Sequence, residues 1–193
     1  MNFPKRIFDI LLSICFLIIF LPVFLILPIL IKLDSNGPII FKSLRIGQHN
    51  KNFFMYKFRS MIVGTELIET EKFTNIDNKI TKIGSFLRRT SLDELPQIFN
   101  VLLGQMSLVG PRPAIKTQVN LLNKRTELKI SDIKPGITGL AQINGRDILS
   151  ESEKLFYDNK YLQNYSILLD IKILIKTFYL VFSKKDIIHW HLT

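Results

Sequence analysis

Two adjacent carboxylates, Asp93 and Glu94, are the side chains of this sequence best suited to chemistry. They follow Ser91 in the pattern Ser-Leu-Asp-Glu, which is typical of a capping box and predicts a helix over 92–103. Acidic residues in a first helical turn complement the helix dipole, so capping alone would explain both. The same position keeps an aspartate ionised, as a carboxylate nucleophile requires. By themselves, these residues leave a structural and a catalytic interpretation open.

Basic side chains that could bind phosphate lie at turns and at the ends of predicted elements. Arg112 stands between two prolines, and a guanidinium on such a stiff loop suits bidentate phosphate binding. A solvated arginine on a turn is the alternative. Because two carboxylates would repel a phosphorylated substrate, a divalent cation such as Mg²⁺ is expected between the acid and the phosphate. The other basic candidates are Lys57, Arg59, Arg89 and Arg146.

The elements that must position these residues are predicted to be mostly helical. Residues 39–41 and 53–59, separated by turn residues, predict a small β-hairpin. Further helices are expected over 66–73 and in two segments of the C-terminal third, the second over Ile167–Ser183. That last helix is apolar over most of its circumference, and it could lie in a membrane interface or pack on the core. The expected class is α+β, mostly helical.

Residues 10–31 form an apolar run in which only Ser13 is polar. Its 22 residues compare with the roughly 20 that a helix needs to cross a bilayer, so a single span is one interpretation. Pro22 lies near the middle, however, and a proline there predicts a bend between Leu21 and Pro22. The run is therefore either a straight span or a helix that bends and returns.

The charges on both sides of this run favour the helix that returns. Lys5 and Arg6 precede the run, and Lys32 with several further basic residues follows it. Cytoplasmic flanks are the ones enriched in lysine and arginine, so a straight span would place one basic flank on the wrong side. We therefore expect a re-entrant membrane-anchoring helix at residues 1–36 and a cytoplasmic domain at residues 37–193.

Charge and cysteine content narrow the classes of partner. The net charge of +10 favours an anionic partner, either nucleic acid, anionic lipid or a phosphorylated substrate. No motif that reads nucleic acid is present, so nucleic acid is not expected as a partner. A non-catalytic adaptor that binds anionic lipid is the alternative to an enzyme. The single cysteine, Cys15, excludes an intramolecular disulfide, and nothing in the sequence indicates an oligomeric state.

Six motifs follow one another along the chain. They are Lys5-Arg6-x-Phe8-Asp9, the interrupted apolar run, and residues 56–61, 87–97, 109–113 and 134–139 with 142–146. Read in order, they closely resemble the monotopic polyprenyl-phosphate phosphoglycosyl transferases of the bacterial sugar transferase family. The resemblance covers nearly the whole chain. Larger members carry extra N-terminal membrane helices, so this chain resembles the catalytic core alone.

The resemblance implies a two-step reaction at a cytoplasmic catalytic domain held in the bacterial inner membrane among its lipids. Asp93 would attack the β-phosphate of a UDP-sugar and release UMP, and undecaprenyl phosphate would then accept the sugar phosphate. Such reactions begin the assembly of glycoconjugates such as O-antigen, capsule or glycoprotein. The sequence does not identify the sugar.

The resemblance also implies a role for each candidate residue. Glu94 completes the acidic pair (Asp93 and Glu94), Mg²⁺ binds at Asp93, and Arg112 holds phosphate. Arg146 is a candidate for the nucleotide, and Asp158 matches an acidic position in the family pattern. The membrane element of the family is broken at a proline that matches Pro22; many members have serine before it, where this chain has Leu21.

Overall fold

The computed structural model describes residues 3–64, 79–145 and 148–183. The helix expected over 66–73 and the candidate Arg146 lie outside the described residues. Helices predominate, and the two strands predicted as a hairpin pair as expected, so the α+β, mostly helical class is confirmed. The α-helices and strands are α1 (Phe3–Ile19), α2 (Leu21–Asp34), β1 (Ile40–Ile46), β2 (Asn52–Phe58), α3 (Lys82–Arg89), α4 (Gln97–Leu102), β3 (Ser107–Val109), α5 (Val119–Glu127), β4 (Gly136–Thr138), α6 (Glu151–Gln163) and α7 (Ile167–Ser183).

The apolar run forms two helices, α1 and α2, that meet at an angle of 62°. The break falls at Phe20, and Pro22 lies in the first turn of α2, where a missing N–H costs no internal hydrogen bond. Across the break, Phe20 N donates to Phe16 O at 2.9 Å and Phe24 N donates to Phe20 O at 3.0 Å. In the described parts of the chain, no single helix is long and apolar enough to cross a membrane, whereas this bent pair meets that test together. The bend predicted at Pro22 is confirmed.

Helix α1 buries polar side chains and exposes apolar ones. Lys5, Asp9 and Ser13, one turn apart, are 2%, 0% and 0% exposed. Leu11 and Ile18 on the other side are 59% and 68% exposed. This distribution is the reverse of a helix on the surface of a soluble protein, and it suits a helix whose outer face meets lipid.

The buried polar face of α1 joins the C-terminal helices through an ion cluster. Lys5 Nζ lies 2.6 Å from Asp9 Oδ1 and 2.8 Å from Asp170 Oδ2 on α7. Ser107 Oγ donates to Asp9 Oδ2 at 2.8 Å. Tyr161 OH, on α6, donates to Asp170 Oδ1 at 2.7 Å. Buried ion pairs and hydrogen bonds therefore connect the N-terminal helix to α7 and β3, and through Asp170 to α6.

The C-terminus of α2 is attached to β2 by Arg59. This guanidinium donates to Asn36 O at 2.9 Å and to Ser35 O at 2.5 Å, and it also reaches Ile31 O at 3.3 Å. These carbonyls belong to the last turn of α2 and to the residues that follow it; Ile31 O also accepts from Ser35 N at 3.3 Å, at a helix end where carbonyls commonly lack donors within the helix. Arg59 is only 4% exposed. It fixes the direction in which the chain leaves the bent helix pair.

The helix expected over 92–103 begins later than the sequence indicates. Ser91 has a left-handed backbone (φ 56°) and makes no capping hydrogen bond, so the predicted capping box is wrong. Leu92–Glu94 forms one 3₁₀ turn, and the α-helix begins at Gln97. Pro96 accounts for the delay, because proline offers no N–H to the preceding turn. Hydrogen bonds of the 3₁₀ type bring the chain past it, from Leu95 N to Leu92 O at 3.3 Å and from Ile98 N to Leu95 O at 3.1 Å.

The core lies between the hairpin, α4 and the C-terminal helices. Val101, Met106 and Tyr161 are at most 1% exposed and belong to one buried cluster. Helix α7 runs over Ile167–Ser183 as predicted, and Ile173 packs in this core while Ile175 is 65% exposed. One face of α7 therefore packs on the core, and another face remains exposed and apolar. A location in a membrane interface stays a prediction.

Candidate active site

Asp93 and Glu94 lie on the 3₁₀ turn between α3 and α4. Asp93 is 8% exposed and Glu94 is half-buried. The turn packs against α3 on one side and β2 on the other. Since the pair does not stand in the first turn of an α-helix, capping no longer explains why these two acids are adjacent.

Lys57 on β2 is directed at the acidic pair. Its Nζ lies 2.8 Å from Glu94 Oε1 and 3.8 Å from Asp93 Oδ2. Asn100 keeps β2 in place beside α4, because its side chain accepts from Tyr56 N at 2.9 Å and donates to Phe54 O at 2.7 Å. The Asn100 amide thus pairs with the edge of β2 as a neighbouring strand would. Lys57 and the turn are therefore held in a fixed relation.

Arg112 reaches the acidic pair from the opposite loop, with Nη2 3.6 Å from Glu94 Oε1. The loop at 110–113 follows β3, which pairs in parallel with β4, a pairing that the sequence analysis did not predict. Gly110 N donates to Thr138 O and Gly136 N to Pro111 O, both at 2.9 Å. A Cβ at Gly110 would lie 2.4 Å from the carbonyl oxygen of Lys134, so only glycine fits this approach. The loop is thereby held rigidly against β4.

Arg45 is a third cation at this site, and sequence analysis did not single it out. Burial, and then the repulsion of Arg112, lower the pKa of Arg45 to about 10, while Glu94 acts in the opposite direction. Its Nε is buried and has no hydrogen-bond partner. The neighbouring residue Ile46 donates its N–H to Ala114 O at 2.9 Å, which joins β1 to the segment that follows Arg112.

The register of the hairpin explains how Arg45 and Lys57 come to share one face. Arg45 pairs with Phe53, and Phe53 lies four residues before Lys57 on β2. Residues directly opposite each other in an antiparallel pair, and residues two or four apart along a strand, point to the same side. A hairpin assigned over its full length would have revealed this relation, but the sequence analysis placed the first strand only at residues 39–41.

Three cations thus flank two carboxylates. Among the described residues, Arg45, Lys57 and Arg112 approach the acidic pair from two different elements and a loop, and together they carry one more charge than the two carboxylates. Such an arrangement can hold a carboxylate next to a phosphate without net repulsion. It suits the transfer of a phosphorus-containing group to or from an aspartate.

The remaining sequence candidates have different surroundings. Arg59 contacts the end of α2, as described above, and Arg89 is exposed in the last turn of α3. Asp158 on α6 is 2% exposed and accepts from Arg125 Nε at 3.1 Å and from Arg125 Nη2 at 2.6 Å. Burial disfavours the charged form of Asp158 and raises its pKa, although Arg125 opposes the shift. A role in binding substrate stays a prediction for these three residues.

The donor set at the acidic pair fits Mg²⁺ better than a metal held entirely by protein. Within residues 3–64, 79–145 and 148–183, no three carboxylate, imidazole or thiol side chains converge as a metal site. Mg²⁺ commonly binds through one or two carboxylates, several waters and the phosphates of a substrate. Asp93 and Glu94 supply that number of carboxylates.

The family is shown by sequence comparison. A family model described as bacterial sugar transferase matches residues 1–184. The chain therefore belongs to the bacterial sugar transferase family, and the resemblance read from its motifs is confirmed.

Individual relatives are named as sugar phosphate transferases that use undecaprenyl phosphate and as an exopolysaccharide production protein. The chain is 44% identical over 190 residues to the UDP-glucose:undecaprenyl-phosphate glucose-1-phosphate transferase of Klebsiella pneumoniae, over 94% of this chain and 41% of that protein. It is 39% identical to the undecaprenyl-phosphate galactose phosphotransferase of Salmonella typhimurium, over 91% of this chain and 40% of that protein. It is 37% identical to the exopolysaccharide production protein ExoY of Sinorhizobium fredii, over 90% of this chain and 83% of that protein. The chain thus spans about four-tenths of the first two relatives and most of the third.

Proposed function

We propose that this chain transfers a sugar phosphate from a UDP-sugar to undecaprenyl phosphate, through a covalent intermediate on Asp93. The observation that carries the proposal is the acidic pair flanked by Arg45, Lys57 and Arg112. Membership of the family also supports the proposal, since two relatives are named as glucose and galactose phosphate transferases that use undecaprenyl phosphate.

The reaction has two displacements at one phosphorus atom. In the first, an Asp93 oxygen forms a bond to the β-phosphorus of the UDP-sugar, and the bond from that phosphorus to the bridging oxygen breaks, so that UMP leaves. In the second, a phosphate oxygen of undecaprenyl phosphate attacks the same phosphorus and Asp93 leaves as a carboxylate. The products are UMP and a sugar joined to undecaprenyl diphosphate.

Residues around Asp93 support both steps by charge and position. Lys57 and Arg112 lie beside Glu94 and can neutralise the oxygens of the transferred group. Asp93 and Glu94 would hold Mg²⁺, which supplies charge neutralisation at the phosphates when it is bound. The small exposed fraction of Asp93 limits the water that could hydrolyse the intermediate.

The bent helix pair would anchor the enzyme in one leaflet of the bacterial inner membrane, with the catalytic domain on the cytoplasmic side. The apolar outer face of α1 and the exposed apolar face of α7 support this placement. A lipid-linked acceptor presents its phosphate at the membrane surface. The anchor would therefore keep the acidic pair near that phosphate.

UMP release before acceptor is added tests the covalent intermediate. Purified protein mixed with UDP-glucose or UDP-galactose and Mg²⁺ should release UMP in a burst close to one per active site. Mass spectrometry should then find a sugar phosphate on the peptide that contains Asp93. Asp93→Asn should abolish both signals while its melting temperature is kept. A matched control is Glu127→Gln, which removes an exposed carboxylate from α5 and should change neither. Full turnover by Asp93→Asn would exclude the mechanism.

Labelling from each side of the membrane tests the anchor. Phe3→Cys at the start of α1 and Lys51→Cys in the hairpin turn, each in a Cys15→Ser background, carry one thiol apiece. An impermeant maleimide should label both only in inverted vesicles. If Phe3→Cys reacted only from the periplasmic side, the returning helix would be wrong and a straight span would replace it.

A further inference from the structure

A buried ion pair behind the active site reaches the backbone of Arg112. Arg125, on α5, is 8% exposed and Asp158, on α6, is 2% exposed. Arg125 donates from Nε and Nη2 to Asp158 Oδ2. It also donates from Nη1 to Arg112 O at 2.9 Å. One guanidinium thus connects two helices to the peptide bond between Arg112 and Pro113.

We propose that Asp158 and Arg125 are positioning residues, which hold the backbone of Arg112 so that its guanidinium stays beside Glu94. The proposal rests on the proposed function, since it assigns Arg112 to the phosphates of the substrate. It gives Asp158 a role that acts through two other side chains, without contact with the substrate.

The bond from Arg125 to the Arg112 carbonyl restrains a part of the loop that the prolines and β4 do not restrain. Prolines on both sides restrict the backbone of Arg112, but they do not set the distance between the loop and the helices behind it. Gly110 and Pro111 are held by β4, on the N-terminal side of Arg112. The bond from Arg125 fixes the carbonyl side of the same residue. Arg112 is therefore held from both directions, and its Nη2 lies 3.6 Å from Glu94 Oε1.

Stability alone does not explain the choice of residues. The free energy needed to desolvate a buried charged pair can exceed the attraction between the two charges. Well-packed apolar side chains in its place often stabilise a fold as much or more. An apolar pair, however, offers no donor to the Arg112 carbonyl. Arginine also differs from lysine here, because its planar group presents separate donors to the carboxylate and to the carbonyl at once.

A double-mutant cycle with Arg112 separates positioning from a purely structural role. Arg125→Lys keeps a cation for Asp158 but lacks the fork, and Asp158→Asn keeps the size of the side chain but removes its charge. Each should lower kcat/KM for the UDP-sugar about tenfold when Arg112 is present, and less than about twofold in an Arg112→Ala background. The burst of UMP counts active sites, so the rates are expressed per active molecule. Lys124→Gln, an exposed cation on the same helix, is the matched control and should leave kcat/KM unchanged.

Two results would overturn the proposal. Equal factors in the presence and absence of Arg112 would mean that the pair acts independently of that residue. Loss of folding in both Arg125→Lys and Asp158→Asn would make the pair a structural requirement. A failure of the proposed function is recognised separately, because Asp93→Asn would then keep its turnover whatever the cycle shows.

Discussion

Lys57 pairs more closely with Glu94 than with its neighbour Asp93. The distance from Lys57 Nζ is 2.8 Å to Glu94 Oε1 and 3.8 Å to Asp93 Oδ2. The two adjacent acids are therefore distinguished by their surroundings, since Arg112 also approaches Glu94. Glu94 is contacted by cations from two sides. This arrangement suits a role for Glu94 in positioning these cations and a role for Asp93 as the attacking group.

Loss of Lys57 should therefore impair catalysis. In Lys57→Gln, Glu94 keeps its half-buried position but loses its closest cation, a change that costs about 1.5–3 kcal/mol for a charged hydrogen bond. We expect kcat/KM for the UDP-sugar to fall about 10- to 100-fold by an assay of UMP release. Lys51→Gln, an exposed lysine in the turn of the same hairpin, serves as the control. Unchanged kinetics in Lys57→Gln would remove this residue from the site.

Arg45 should contribute to binding of the donor. Arg45→Gln removes a half-buried cation whose Nε lacks a partner, so we expect KM for the UDP-sugar to rise about tenfold, with a smaller change in kcat. Initial rates at several donor concentrations measure both constants. Lys42→Gln on the same strand is the matched control, because Lys42 points to the other face and is exposed. A larger loss in Lys42→Gln than in Arg45→Gln would contradict this assignment.

Replacing Arg59 should destabilise the attachment of the bent helix pair more than it slows the proposed reaction. Arg59→Met keeps the aliphatic length but leaves the carbonyls at the end of α2 without their donor, which should cost about 2–4 kcal/mol of folding free energy. Thermal unfolding in detergent should show a lower melting temperature, while kcat per active molecule changes less than about twofold. Lys32→Met, exposed in the last turn of α2, should behave as wild type. An unchanged melting temperature together with lost turnover would instead support the substrate-binding role predicted from the sequence.

The carboxyl of Asp170 should make stability depend on pH. Burial raises its pKa and so does Asp9, and together these effects exceed the opposite effect of Lys5 and Tyr161. In an unfolded chain the pKa of an aspartate is about 3.9. Between that value and the raised pKa, the folded state retains a proton that the unfolded chain has released. Stability should therefore fall as pH rises through this interval and level off above it.

Asp170→Asn provides the measurement for this pH dependence. The amide does not titrate, so melting temperatures recorded from about pH 4 to pH 7 should vary less in the variant than in the wild type. Glu127→Gln, which changes an exposed carboxyl on α5, should keep the wild-type slope. A wild-type slope in Asp170→Asn would assign the pH dependence to another group.

Local sequence patterns predicted some elements correctly and failed where a nearby proline opposed the pattern. Ser91 and Ser150 both stand three residues before a glutamate. Only Ser150 forms the capping box, with Glu153 at the start of α6. After Ser91 the chain meets Pro96, which prevents a regular helix from forming until it has been passed. The bend at Pro22 was predictable for the same reason, since proline acts on its immediate neighbours.

The parts of the site that depend on distant pairing were not predictable in this way. Strands β3 and β4 have three residues each, too few to show an alternating pattern, yet their pairing supports the Arg112 loop. Arg45 joins the site only through the register of the hairpin and the bond from Ile46 to Ala114. The residue types and local settings of Asp93, Glu94, Lys57 and Arg112 were compatible with phosphate chemistry and also with structural roles. The resemblance of the ordered motifs to the family decided between these two interpretations of the sequence.

The ion cluster of Lys5, Asp9 and Asp170 joins parts of the chain that are made at different times during translation. The first helix leaves the ribosome early, but Asp170 is made only near the other end of the described chain. Until that segment has emerged, Lys5 and Asp9 lack the partner that lies with them in the folded protein, and charges without their partners are costly to bury. Helix α1 is thus translated well before α7, and its buried ion cluster can be completed only after Asp170 has been made.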